Sequence, residues 1–236
     1  MGFPDVDSIV LTCEHGGHRV PAPYRPLFRG ADRVLESHRG WDPGALELAR
    51  GLARRLDAPL FPATVSRLVV ELNRSLGHPR FFSEFTRGLD REASERLIEE
   101  HWHPYRRTVE DAIRAAEGRV LHLSVHSFTP VLDGEVRRAD VGLLYDPSRP
   151  AERDFCVAWQ ADLRRRLPGL AILRNVPYRG TSDGFTTHLR RRLSPSQYLG
   201  IELEVNQKYP LGDRATWRTV RRAIEASLAG PPGATP

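Results

Sequence analysis

Leu121-His122-Leu123-Ser124-Val125-His126-Ser127-Phe128-Thr129-Pro130 is an apolar run interrupted at every second position until it meets a proline. Side chains two apart on a strand share a face, so the spacing predicts a strand that carries His122, Ser124 and His126 on one side. His126 is expected at the strand exit, where the loop begins, and His122, deeper in the run, is expected to be packed in the interior. Outward from this stretch, short β-branched or Leu-rich runs alternate with longer segments of helical period. That alternation is the signature of an α/β layer fold.

The predicted strands are residues 8–13, 59–65, 67–72, 119–125, 141–145, 170–174 and 198–205, and the predicted helices are residues 44–56, 91–117, 151–167, 184–192 and 213–228. On the first helix Ala45, Leu46, Leu48, Ala49, Leu52 and Leu56 fall on one stripe, with Glu47, Arg50 and Arg54 off it, as a helix covering a sheet requires. Residues 77–90 hold Gly, Pro, Arg and three Phe without a period, and read as a loop packed over something. With no internal repeat and no linker-like stretch, residues 1–228 are expected to form a single domain. The small residues and prolines of 229–236 are expected to be a loose tail.

The chain has 236 residues, 40% of them hydrophobic, which suffices for a sizeable core and excludes collagen, coiled coil and wholesale disorder. Thirty-five basic against thirty acidic side chains leave only +5, and Lys208 is the sole lysine, so the basic excess is arginine and does not set function by itself. Cys13 and Cys156 are too few for a four-thiolate metal site or a disulfide framework. Residues 1–7 lack the basic and long apolar regions of a secretory signal, and no run approaches the roughly 18 apolar residues of a membrane span. A cytoplasmic protein without a membrane partner is expected.

Several strand ends carry candidate chemistry. Thr12-Cys13-Glu14-His15-Gly16-Gly17-His18 follows the first apolar strand, and the two glycines let the backbone turn sharply beside His15. Imidazoles from two strand ends, His15 and His126, plus one carboxylate make a three-ligand zinc site with an open fourth position for water. Asp42, in Trp41-Asp42-Pro43-Gly44, offers the carboxylate or simply caps the helix that follows, and His18 and Glu14 compete for the same place. Arg67, Asn73 and Arg74 flank an apolar run and could hold a substrate carboxylate through planar, bidentate forks. Glu202 and Glu204 alternate on a buried strand, where two carboxylates need a metal, an arginine or a proton, and one of them is a general-base candidate.

An ordered set of motifs extends over about residues 9 to 209: Cys13-Glu14-His15, His38 to Ala45 as His-x-x-Trp-Asp-x-Gly-Ala, Ser66-Arg67-Leu68-Val69-Val70-Glu71-Leu72-Asn73-Arg74, His126-Ser127-Phe128-Thr129-Pro130, then Asn175-Val176-Pro177-Tyr178 and Glu204. In these motifs the chain resembles the N-formylglutamate amidohydrolase family. The resemblance implies a three-layer αβα fold with a central mixed β-sheet, phosphorylase/hydrolase-like in the manner of zinc carboxypeptidases and aspartoacylases. It also implies hydrolysis of the amide of a small N-acylated acidic amino acid such as N-formyl-L-glutamate, with one Zn2+ ion. Carried over residue by residue, it implies His15 and His126 as zinc ligands, Glu204 as general base, Arg67, Asn73 and Arg74 as carboxylate binders, and Tyr178 and Arg179 lining the substrate pocket. Arg67 or Arg74 is also placed to face the oxyanion. The His-x-x-Glu ligand pair of carboxypeptidases is replaced by His15-Gly-Gly-His18, so Asp42 is taken as the third ligand with His18 and Glu14 as alternatives. Glu71 stands where the related motif commonly has Asp.

The expected partner is a small-molecule N-acyl amino acid, bound by a monomer, with no nucleic acid. The rivals are a related acyl-amino-acid hydrolase or small-peptide carboxypeptidase, an arginine-rich nucleic-acid binder whose affinity would drop steeply with salt, and a zinc-binding relic without turnover.

Overall fold

In the computed structural model, which describes residues 6–228, the chain runs through β1 (Ser8–Cys13), α1 (Asp32–Leu35), α2 (Ala45–Leu56), β2 (Leu60–Pro62), α3 (Arg91–Leu97), α4 (His103–Ala115) and β3 (Val120–Phe128). A small hairpin of β4 (Val131–Leu132) and β5 (Glu135–Val136) follows. Then come β6 (Val141–Leu144), α5 (Pro150–Arg166), β7 (Ile172–Arg174), α6 (Phe185–Arg190), β8 (Tyr198–Asn206) and α7 (Arg214–Leu228). The tail expected at 229–236 lies outside the described residues.

The six-stranded sheet has the order β2-β1-β3-β8-β6-β7. Its first four strands are parallel; β6 meets β8 antiparallel and carries β7 parallel to itself. The sheet is therefore mixed. β3 and β8 lie at its centre and are buried almost throughout, which is why their sequences are so apolar.

Strand alternation sorts the two faces. Leu11, Leu121, Leu123, Val125, Leu199, Ile201 and Leu203 form one core with Leu48 and Leu52 of α2, Trp159 and Leu163 of α5, and Val220 and Ile224 of α7. Val10, Val120 and Tyr198 point the other way, against Val109 and Ile113 of α4 and Phe185 and Leu189 of α6. This is a three-layer αβα arrangement. Each fully buried leucine contributes about 1.5–3 kcal/mol.

Four expectations are corrected. Residues 67–72 are turns rather than a strand: Leu68, Val69, Val70 and Leu72 fill a separate core with Tyr24, Phe28, Phe81, Leu97 and Trp102. A short apolar run has no period to distinguish those cases. Of residues 59–65, only Leu60–Pro62 is strand, since only there does the chain pair with β1. The helix expected over 91–117 is divided by a wider π-helical turn at Ile98–Trp102 and ends at Ala115. Pro104, just past that turn, has no N–H to bond back into it. Finally, β3 continues to Phe128, so His126 lies within the sheet and not at its exit.

Candidate active site

His15 stands in the turn after β1 and is buried, and Asp42 lies two residues before Gly44, which precedes α2 with a left-handed φ of 81°. No side chain caps α2, so capping is not what holds Asp42 in place. The Asp42 amide donates to the His15 carbonyl at 2.9 Å, which ties the two turns together. The Asp42 carboxylate turns inward, where Oδ2 is 3.2 Å from His15 Nδ1 and 2.9 Å from His126 Nδ1. The two imidazole centroids are 4.9 Å apart. One donor atom from each of His15, Asp42 and His126 fits within 4.8 Å of the others, and all three residues are buried.

Glu204 lies beside this cluster. In the parallel register of β3 and β8 it is the direct partner of His126, and across β6 it faces Gly142. A Cβ on Gly142 would meet the Val176 carbonyl oxygen at 2.2 Å, so glycine is what lets that loop pass close behind Glu204. Glu204 Oε2 is buried without a hydrogen-bond partner. Burial pushes the carboxyl up to about 8, with Asp42 and Glu202 adding to the effect against His126 and Arg67. For Asp42 burial acts in the same upward direction, but His15, His126 and Arg67 outweigh it and hold the group far below the usual carboxylate range. His126 is raised: burial opposes the charge, and hydrogen bonds and attraction from Asp42 and Glu14 overcome it.

Two imidazoles and a carboxylate converging in a buried pocket, with an orphaned carboxylate oxygen alongside, form a donor set that fits a zinc ion with one open position. The alternatives for the third ligand are placed elsewhere. His18 is exposed and sits against Trp41, with ring centroids 5.3 Å apart. Glu14 approaches His126 at the opposite ring nitrogen, Oε2 to Nε2, 3.2 Å.

The cluster opens into a cleft of about 730 Å3 lined also by Arg67, Asn73, Arg74, Tyr178, Arg179 and Glu202. Arg67 donates through Nε and Nη2 to Glu71 Oε2 at 2.8 and 2.6 Å and reaches Asp42 Oδ1 at 3.3 Å. Most of its fork is thus committed inside the protein. Asn73 Oδ1 accepts from the Phe185 amide at 2.6 Å while Nδ2 is 3.4 Å from His126 Nε2. Arg74 Nη1 is hydrogen-bonded to the Asp183 carbonyl. Asn73 and Arg74 are therefore braces of the cleft wall first and ligand donors second. Tyr178 and Arg179 are exposed on a turn fixed by Asn175, whose Oδ1 accepts from Tyr145 N and Gly180 N at 3.0 Å each. Arg179 makes no ion pair among the described residues. Glu202 Oε1 accepts from Thr186 Oγ1 at 2.5 Å, whereas Glu204 Oε2 is the buried oxygen without a partner. His122 is interior, held between Thr12 Oγ1 at 2.8 Å and Tyr198 Oη at 2.7 Å.

Sequence reasoning assigns no role to two residues of this neighbourhood. Glu71 reaches His15 Nε2, a contact made across a turn that reads as strand. Arg106 of α4 is buried between the rings of Trp102 and Phe185, 4.6 and 4.4 Å from their centroids. Its Nη1 donates to the Leu72 and Arg74 carbonyls at 3.2 Å each, and Trp102 Nε1 joins it on Arg74 at 3.0 Å. Helix α4 thereby fixes the turn that carries Asn73.

A family model described as N-formylglutamate amidohydrolase matches residues 7–209. Among solved structures, the chain is similar to gene product Atu2144 from Agrobacterium tumefaciens, with 26% identity, a TM-score of 0.75 and coverage of 96% of this chain and 92% of that one. Fainter likenesses include the succinylglutamate desuccinylase from Chromobacterium violaceum (17% identity, TM-score 0.42, 98% of this chain and 63% of that one). Another is the N-acetylmuramoyl-L-alanine amidase AmiC2 of Nostoc punctiforme (10% identity, TM-score 0.38, 94% of each). No curated protein matches the chain.

Proposed function

The chain belongs to the N-formylglutamate amidohydrolase family, and from that premise we propose that it is a zinc-dependent hydrolase cleaving the amide bond of an N-acylated acidic amino acid, with N-formyl-L-glutamate as the reference substrate. The observation that carries the reading is the buried meeting of His15, Asp42 and His126 next to the unpartnered carboxyl of Glu204.

His15, Asp42 and His126 would hold the ion, which when bound polarises the scissile carbonyl and lowers the pKa of a bound water toward about 7. Glu204 takes a proton from the attacking water at its free oxygen. The water oxygen joins the formyl carbon, the C–N bond breaks, and Glu204 returns the proton to the leaving amino nitrogen, so that formate and the free amino acid depart. Burial raises the proton affinity of the Glu204 carboxyl, which favours holding the proton between the two transfers. Arg67, held in place by Glu71 and Asp42, keeps an edge on the cleft for the oxyanion, where a fixed donor lowers the barrier by about 3–4 kcal/mol. Arg179 and Tyr178 receive the substrate's carboxylates, with Asn73 and Arg74 shaping the wall behind them.

The test is metal content and formate release from N-formyl-L-glutamate for the wild type and for His126→Ala. One zinc per chain and activity in the wild type, both lost in the variant, support the reading; an active metal-free wild type ends it. A cleft of about 730 Å3 is in the range that buries a drug-sized ligand and exceeds what a formyl group on glutamate needs. That favours, as a second reading, a related hydrolase of larger acyl groups or a small-peptide carboxypeptidase. Rates on N-formyl, N-acetyl and peptide derivatives of Glu, Asp and His separate the two. We place the enzyme in the cytoplasm, in keeping with two free, buried cysteines, and take it to act as a monomer.

A further inference from the structure

We infer that Glu14 and Glu71 are positioning residues for the metal centre, each accepting at the Nε2 side of one ligand histidine so that both Nδ1 atoms are presented to the ion beside Asp42. The inference rests on the zinc reading given above. An imidazole ligates only through a nitrogen that carries no hydrogen, so its other nitrogen must hold one, and an acceptor placed there selects that tautomer and fixes the ring.

Both histidines meet this condition in the same way. His15 has Asp42 at Nδ1 and Glu71 Oε1 at Nε2. Glu71 is itself held by hydrogen bonds: Oε2 takes two from Arg67 and Oε1 takes the Asn73 amide at 3.0 Å. His126 has Asp42 at Nδ1, and at Nε2 it has Ser124 Oγ at 2.9 Å and Glu14 Oε2 at 3.2 Å, both nearer than the Asn73 Nδ2 donor at 3.4 Å. The Ser124 hydroxyl donates onward to the same Glu14 oxygen at 2.8 Å.

Glu14 has no exposed surface, and its other oxygen is buried without a partner. A carboxylate so placed is costly to the fold, and burying it for packing alone would be better served by an apolar side chain. Its polar partners are Ser124, Thr12 and the His126 edge that faces away from Asp42. The same geometry separates Glu14 and Glu71 from the ligand role, since they occupy the ring edges opposite the Nδ1 atoms.

The test uses Glu14→Ala, Glu71→Ala and the corresponding Gln variants of the full chain. Zinc affinity is measured by chelator competition, and histidine 15N shifts are measured in the zinc-loaded protein. The Ala variants are expected to bind zinc roughly 10- to 100-fold more weakly, and the Gln variants, which keep an acceptor oxygen, to recover most of that loss. In the wild type, His15 and His126 are expected to show protonated Nε2 and ligated Nδ1. Folded Ala variants with affinity within twofold of wild type would overturn the inference. If the Ala variants do not fold, the wild-type shifts decide: ligation through Nε2 overturns it. A wild type that binds no zinc is a different result, which sinks the metal reading itself before any variant is made.

Discussion

His126 on β3 and Glu204 on β8 are direct cross-strand partners, so the backbone ladder of the two central strands fixes the imidazole and the unpartnered carboxyl on one face of the sheet. Neighbouring same-face residues of paired strands stand about 5 Å apart. The separation of these two groups is therefore built by the sheet and not by a loop.

Glu204→Gln keeps the shape and removes the proton acceptor. Turnover is expected to fall by roughly 10²- to 10⁴-fold while zinc stoichiometry and KM stay near wild type. Steady-state kinetics together with metal analysis check it; a variant that retains most of its turnover with zinc bound would remove Glu204 from the chemistry.

Asp42→Ala deletes the oxygen that both Nδ1 atoms face. Zinc affinity is expected to drop by more than the roughly 10- to 100-fold that loss of an outer partner costs. The far-UV spectrum should be unchanged, because the Asp42 side chain contributes no cap to α2 and its carbonyl, which accepts from the Ala45 amide, is kept. Chelator competition reads the first effect and circular dichroism the second.

Glu152 of α5 is buried and accepts from Arg190 Nε at 3.0 Å, Gly200 N at 3.0 Å and Asp146 N at 2.9 Å. Glu152→Ala leaves a buried guanidinium without its carboxylate and is expected to cost about 3–5 kcal/mol in denaturant unfolding. Replacing both partners by apolar residues should cost much less. Equal losses in the single and double variants would contradict this.

His122 gives stability a pH dependence. Burial lowers it to about 4, with Arg190 and His126 acting the same way against Glu14. Between about pH 6.5 and 4 the unfolded chain binds a proton there that the folded chain does not, so stability falls as pH drops through that window. In chelator-treated protein, the loss between pH 6.5 and 4 should be smaller in His122→Gln than in wild type by on the order of 2–3 kcal/mol. Parallel pH profiles for the two proteins would show that His122 is not the group involved.

Much of this architecture is legible in the chain itself. The long central strands announce themselves because both their faces are buried, and α2 because Leu48, Ala49 and Leu52 recur at helical spacing. The pairing of His15 with His126 can be inferred from two histidines near strand ends. Glu71 could not be joined to His15 in this way, because Leu68-Val69-Val70 has the composition of a strand and only tertiary packing makes it a turn. The β4–β5 hairpin did have a local mark: Asp133-Gly134, both at positive φ, is a two-residue turn between Val131-Leu132 and Glu135-Val136. Arg106 was beyond reach, as one arginine among many on a helix surface until Trp102 and Phe185 close around it.

The wide turn at Ile98–Trp102 shifts the phase of one long helical segment. Up to its last residue, Leu97 and Trp102 serve the core around Phe81; beyond it, Val109 and Ile113 serve the one beneath the sheet. Taking out a single residue there would rotate everything downstream by about 100° and turn Arg106 away from the carbonyls it holds. In this region the chain tolerates substitution more readily than a change of length.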